Sequence, residues 1–222
     1  MQPDSPFPPL PTLSDAERVA RAESYRDLMR KRHSCRAFAP TPVPEAAITA
    51  AIAAAGTAPS GANHQPWHFA AVGSPGLKQQ IRKAAEAEER AFYAGRASAE
   101  WLDALAPLKT DAHKPYLAIA PWLIIIFAQR RGGVRSTDDQ QNYYIAESVG
   151  IATGLLLSAL HAAGIATLTH TPNPMTFLNK LCQRPATEKP YLIVVAGHPA
   201  EGATVPAHAL VKKGVGEIMT VF

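Results

Sequence analysis

Helical and extended patterns alternate along the 222 residues, which predicts a single domain of the α/β or α+β class. Three observations carry that prediction. Helix-start signals recur, at Ser14-Asp15-Ala16-Glu17, at Pro44 and at Ser74-Pro75. Short runs rich in β-branched residues, WHFAAVG, WLIIIFA and YLIVVAG, stand between the helical stretches. The chain shows no internal repeat and no linker long enough to separate domains.

Taken in order, the chain opens with MQPDSPFPPLPTL, which holds five prolines and no Lys or Arg. That composition reads as a polyproline-like arm over residues 1–13, ahead of a domain over residues 14–222. The Ser14/Glu17 capping box predicts a helix from Asp15 to about Lys31. Pro44 starts a second helix, PEAAITAAIAAA, stopped by Gly56. After the loop TAPSGANHQP, where Pro66 is expected to force an extended approach, WHFAAVG is a strand. Ser74 and Pro75 start a third helix that runs to about Gly95. A looser stretch, Arg96 to His113, precedes strand WLIIIFA. GGVRSTDD is a turn region, and a long helix is expected from about Asp138 to Ala163, stopped by Gly164. Strand IATLTH, a helix around Thr176 to Leu181 and strand YLIVVAG follow. The β character of EIMTVF predicts a terminal strand.

Composition narrows the function. Hydrophobic residues make up 47% and charged residues 18%, a globular balance that excludes wholesale disorder. A chain this long buries roughly 70% of its unfolded surface, so it needs no staple. The net charge of +4 suits a phosphate-bearing ligand and is too weak and scattered for nucleic acid. Two cysteines, Cys35 and Cys182, exclude a disulfide scaffold and any CxxC metal or redox site, and no metal is expected. The apolar run Tyr116 to Ala128 is too short for a membrane span and is split by Pro121; Ile151 to Leu160 reads as a buried central helix. The start lacks a basic region followed by an apolar one, so the chain reads as soluble and cytoplasmic.

Three patches could carry chemistry. Arg32-His33-Ser34-Cys35-Arg36 sets two guanidinium forks around a hydroxyl, a grip for a phosphate, although a solvated basic helix end has the same composition. Ala58-Pro59-Ser60-Gly61-Ala62-Asn63-His64-Gln65-Pro66-Trp67 leaves backbone N–H groups bare enough to approach a flat ligand, and also reads as a plain connecting loop. Thr169-His170-Thr171-Pro172 puts hydroxyls at a strand end.

As an ordered set, R-x-S-x-R, APSGANHQPW and T-x-T resemble the FMN-dependent nitroreductase superfamily. Within it the chain is similar to the iodotyrosine deiodinase branch, through AGTAPSGANHQPW, NYYIAES, RPATEK, ATVP and EIM, from about Ser24 to Phe222. The resemblance implies an α+β, nitroreductase-like fold: a central, mostly antiparallel sheet flanked by helices, in a domain-swapped homodimer. It implies FMN, held by Arg32, Ser34 and Arg36, with His33 where many relatives carry arginine, and with Lys212 on the phosphate. Ser60 and Gly61 would meet the flavin from the partner subunit. Thr171 would be the catalytic hydroxyl beside flavin N5, with Thr169 its neighbour, and would permit one-electron steps beside hydride transfer.

On the substrate side the resemblance implies a lid at about residues 85–115. There Glu89 would take the ammonium of a halotyrosine, Tyr93 and Lys114 its carboxylate, and the Ala62 N–H its phenolate; Trp101 also matches the lid. Read singly, AEAEER is a solvated acidic face, Tyr93 amphipathic packing and Lys114 one exposed lysine among many. The implied reaction is reductive dehalogenation of iodo-, bromo- and chlorotyrosine, with NAD(P)H as electron donor directly or through a reductase. The rival readings are a general NAD(P)H-dependent nitro or quinone reductase, a flavin-binding module without turnover, and an oxygen-dependent flavin-fragmenting enzyme.

Overall fold

The computed structural model describes residues 4–135 and 137–222 and divides into two compact units, one ending at Arg32 and one running from His33 to Phe222. Residues 1–3 of the expected arm and Ser136 of the expected turn lie outside the described residues. The first unit contains α1, Asp15–Arg30. Its start is the expected capping box: the Glu17 N–H donates to Ser14 Oγ at 3.3 Å, and the Ser14 N–H donates to the Glu17 carboxylate at 2.7 Å. Both contacts satisfy backbone donors that a helix start leaves open.

In the second unit, α2 (Glu45–Ala55) follows Pro44 and closes at Gly56, with Ile48, Ala51 and Ala55 turned inward. β1 is Trp67–Val72. α3 (Pro75–Ala91) is capped by the Ser74 hydroxyl and buries Ile81 and Ala85 at helical spacing. It ends earlier than the expected Gly95, because the chain widens into a π turn over Phe92–Arg96. The stretch expected to be loose, Arg96 to His113, instead holds α4 (Ala99–Leu105) and a short 3-10 turn, Ala106–Leu108. The helix forms because Ser98 caps it, accepting the Trp101 N–H at 3.2 Å. A short α5 (Tyr116–Ile119) leads into β2, Trp122–Gln129.

The two-residue strands β3 (Arg131–Gly132) and β4 (Gln140–Gln141) pair antiparallel. α6 is Ile145–Ala162, so the long helix starts later than the expected Asp138. Two causes are local. Residues 140–141 are used by the hairpin, and Tyr144 takes a left-handed φ of 49°, which a helix interior cannot contain. β5 (Ala166–His170), α7 (Phe177–Leu181) and β6 (Glu188–Gly197) follow, then the short turns α8 (Ala207–Leu210) and α9 (Val215–Ile218). The expected terminal strand is absent: Glu217 and Ile218 lie in α9, and residues 219–222 extend without pairing. β character alone makes no strand, and the tail meets no partner strand among the described residues of its own chain. Ile218, Met219, Val221 and Phe222 remain exposed.

The sheet runs β1-β2-β6-β5 with every neighbour antiparallel; a parallel bridge from Ser34 to Thr167 flanks β5. β2 sits at its centre and is buried on both faces, which its near-continuous apolar run allows. Leu123, Ile125 and Phe127 pack on the side of α3 and α5; Ile124, Ile126 and Ala128 pack on the side of α2 and α6. A bulge in β6 sets two of its residues, Pro190 and Tyr191, against one step of β2 between Ile126 and Phe127. α6 is long and apolar enough to cross a membrane by length and composition, but Val149, Ala152, Leu156 and Leu160 form one wall of the core.

Candidate active site

A cavity of about 590 Å³ opens where the end of β5 meets α3, the π turn and α4. β5 and the residues after it contribute Thr169, His170 and Thr171; Arg36 reaches it from the segment beside β5. The lid side contributes Glu89, Tyr93, Lys114 and Trp101. Each of these residues except His170 is a candidate by sequence, and they come from five separate stretches of chain.

The lid cluster is not a solvated surface. Lys114 is 3% exposed, and its Nζ lies 3.3 Å from Glu89 Oε2 and donates to Thr110 Oγ1 at 2.8 Å. The Lys114 backbone N–H is also fixed, on Glu86 Oε1 at 2.8 Å. Helical spacing puts Glu89 and Tyr93 on one face, as i and i+4. The Tyr93 hydroxyl donates to the Thr110 carbonyl at 3.2 Å, and the Lys114 ammonium stands 5.7 Å from the centre of its ring. Burial and the charge of Glu89 raise the Tyr93 phenol above its ordinary value, although its hydrogen bond to Thr110 acts the other way. Phe92 meets both Tyr93 and Trp101 edge to face, with ring centres 5.3 and 5.2 Å apart, so the lid carries an aromatic wall. Such a pocket offers a paired charge of each sign, a phenol and a flat apolar surface.

At the sheet end, strand alternation separates two sets of groups. Thr169 and Thr171 are exposed, and their hydroxyls are open to a ligand; His170 points the opposite way and is 8% exposed. Its Nδ1 lies 3.5 Å from the hydroxyl of buried Tyr116, and the two rings meet edge to face at 5.8 Å. Burial, helped by the positive charge of Lys114, lowers the imidazole to about 3, so it is neutral. Sequence reasoning reads Thr169-His170-Thr171 for its hydroxyls and passes over the histidine. The period of the strand is the available signal, since it puts His170 on the face of Leu168, towards α3.

The remaining expected residues lie elsewhere. Arg32 is the last residue of the first unit. Ser34 bridges to Thr167 beside β5, and His33 precedes it; neither lines the cavity. Ser60, Gly61 and Ala62 are on the other loop, also away from the cavity. That loop is held in an unusual shape: Ala62, Asn63 and Gln65 all have left-handed φ, at 50°, 55° and 51°. Gln65 therefore does not enter β1 extended, despite the proline after it. Its N–H donates to Ser60 Oγ at 2.9 Å and its carbonyl accepts from Trp67 at 2.7 Å, so the loop folds back on itself. Gly61 packs so closely that a Cβ there would lie 2.9 Å from the Tyr143 carbonyl oxygen. His64 joins the loop to buried Asn142 at 3.0 Å, another contact that sequence did not reveal. Lys212 is exposed in the tail.

The Nitroreductase family model matches residues 29–198. An iodotyrosine deiodinase of Haliscomenobacter hydrossis is 46% identical over 206 residues, 93% of this chain and 92% of that protein. The iodotyrosine deiodinase of Danio rerio is 40% identical over 220 residues, 99% of this chain and 74% of that protein. The crystal structure of an oxidized iodotyrosine deiodinase bound to FMN and 3-iodo-L-tyrosine matches with a TM-score of 0.72 at 30% identity, covering 80% of this chain and 90% of that one. A Bacteroides fragilis nitroreductase with bound FMN shares the fold, with a TM-score of 0.66 at 20% identity. The α+β sheet of four antiparallel strands, the cavity at its β5 end and these likenesses agree, and the chain belongs to the nitroreductase family, on its iodotyrosine deiodinase branch.

Proposed function

We propose that the protein is an FMN-dependent oxidoreductase that removes halide from halotyrosines, giving tyrosine and halide. The observation that carries this reading is the buried Glu89–Lys114 pair, set beside Tyr93 in one cavity with Arg36 and Thr171. A general reductase of flat aromatics has no need of that pair.

The donor set suits FMN. Arg36, with its fork of N–H groups, faces the cavity, and the hydroxyls of Thr169 and Thr171 stand open at the strand end. A flavin there would be held by Arg36, with Ser34 and Lys212 on a phosphate that extends beyond the cavity lining, and with Ser60 and Gly61 reaching it from the loop of a second copy. When bound and reduced, FMN supplies the two electrons that, with one proton, turn the carbon–halogen bond into carbon–hydrogen and free halide. The protein's own work is to hold the substrate. Glu89 accepts from the ammonium, while Lys114 and the Tyr93 hydroxyl donate to the carboxylate. The Ala62 N–H, on the left-handed turn of the same loop of the second copy, takes the phenolate oxygen. Thr171 donates its hydroxyl beside the flavin edge. Phe92 and Trp101 cover the ring and exclude water, which strengthens each charged contact.

Electrons come from NAD(P)H, directly or through a reductase. The working unit is a homodimer, supported by the exposed apolar face of α6 at Ile151 and Leu155 and by the apolar tail. Cytoplasmic placement is supported by two free cysteines and no disulfide among the described residues.

The test is anaerobic. Protein reduced with dithionite is mixed with 3-iodo-, 3-bromo- and 3-chlorotyrosine and, separately, with a nitroarene. Flavin reoxidation with halide release by a halotyrosine is the expected result, and no reoxidation by any of the three overturns the reading. The aromatic wall would also admit a nitroarene, as in a general nitro or quinone reductase. Glu89→Gln separates the two activities: halotyrosine turnover collapses by about 100-fold or more, the scale of a lost buried charge contact, and nitroarene turnover persists.

A further inference from the structure

His170 Nε2, at the cavity, is buried without a hydrogen-bond partner among the described residues, although an orphaned buried N–H is costly and rare. Its protonation follows from its neighbour. The Tyr116 hydroxyl is buried, and desolvation holds its phenol well above the ordinary value, so it keeps its proton. That proton needs an acceptor, and His170 Nδ1 is the group in range at 3.5 Å. The imidazole proton then sits on Nε2, facing Glu89 Oε1 at 3.9 Å.

Glu89 therefore stands between two donors. Lys114 Nζ holds Oε2 at 3.3 Å, and the His170 N–H faces Oε1 from just beyond hydrogen-bond distance. Lys114 and Glu89 close on each other in the free protein. On the zwitterion clamp proposed above, Lys114 turns towards the substrate carboxylate and Glu89 towards the ammonium, which weakens the contact that fixes the direction of Glu89.

We propose that His170 positions Glu89 for the substrate ammonium, its Nε2–H closing on Oε1 as Lys114 turns to the substrate carboxylate. This rests on the zwitterion clamp of Glu89, Tyr93 and Lys114 argued above. A neutral donor is what the place requires: a lysine or arginine would hold Glu89 equally well but would repel the incoming ammonium. The low imidazole value keeps His170 neutral throughout the physiological range.

The test is calorimetric titration of the oxidised, FMN-loaded protein with 3-iodotyrosine and with N-acetyl-3-iodotyrosine, which lacks the ammonium. The wild type should prefer the free amino acid. His170→Leu should weaken 3-iodotyrosine about tenfold, the scale of one hydrogen bond to a charged group, and leave the acetylated ligand unchanged. His170→Gln can set an amide N–H near the Nε2 position and should restore most of the loss, whereas His170→Asn, too short to do so, should not. The Gln and Asn pair carries the test alone if the Leu variant does not fold. Equal losses for both ligands, or no loss for either, overturn the proposal and leave the clamp standing. A wild type that shows no preference for the free ammonium overturns the clamp and the proposal together.

Discussion

Lys114 and His170 show how a residue hides its role until burial is known. A lysine in TDAHKPY looks like surface, yet this one is 3% exposed and anchors Glu89. Glu89, from an acidic helix face, has a side chain only 13% exposed. The i, i+4 relation of Glu89 and Tyr93 was legible, because helical spacing is local. Their meeting with Lys114 was implied only by the family resemblance, because it depends on how α4 and the turn after it fold back. His170 has a consequence for stability against pH. Unfolded, it takes a proton near 6.5; folded, only near about 3. Between those values the unfolded chain binds more protons, so stability is fully present above about 6.5 and is lost as pH falls towards 3. Urea melts at about pH 7.5 and about pH 5 should show the wild type losing stability on acidification, and His170→Gln losing measurably less.

At the scale of elements, the signals that survived were those with a local cause. The capping box of α1, the proline and glycine bounding α2 and the β-branched run of β2 act within a few residues, and each appears where sequence placed it. The start of α6 and the tail did not, since one is decided by a hairpin partner across the turn and the other by the lack of a partner strand among the described residues. α4 was missed because one serine cap decides it. The loop over residues 60–65 was legible as a bare backbone but not in its left-handed turns, which its own hydrogen bonds and the contact with Tyr143 impose. Gly61→Ala should therefore cost about 1–3 kcal/mol, the scale of an overpacked site. Gly76→Ala, in the first turn of α3 with open space around it, should be neutral or stabilising by up to about 1 kcal/mol. Paired urea denaturation curves check both, and equal effects would show that the Tyr143 contact does not constrain the loop.

At the scale of the whole molecule, the fold class was legible, whereas assembly depends on a second copy that no single chain displays. α6 turns one face to the core and leaves Ile151 and Leu155 at 46% and 37% exposure, with an apolar tail also uncovered. A lone apolar side chain on a surface means little, but a helix face and a tail together are what a homodimer would cover. Ile151→Glu should convert a dimer into a monomer in sedimentation velocity and, because Ser60 and Gly61 are proposed to reach the flavin of the partner, should release FMN on gel filtration. A variant that stays dimeric and yellow would remove α6 from the interface.

The central place of β2 also sets a demand on biosynthesis. Its apolar run, closed in the finished fold between β1 and β6, leaves the ribosome with β1 already made and β6 still to come. Everything from Arg130 to Thr187 must be synthesised before Glu188 begins to cover the second edge. At about 5–20 residues per second the nascent chain carries an open, uncharged strand edge for seconds. Slower translation of the α6 segment lengthens that exposure, and should lower the yield of soluble protein without altering the native state.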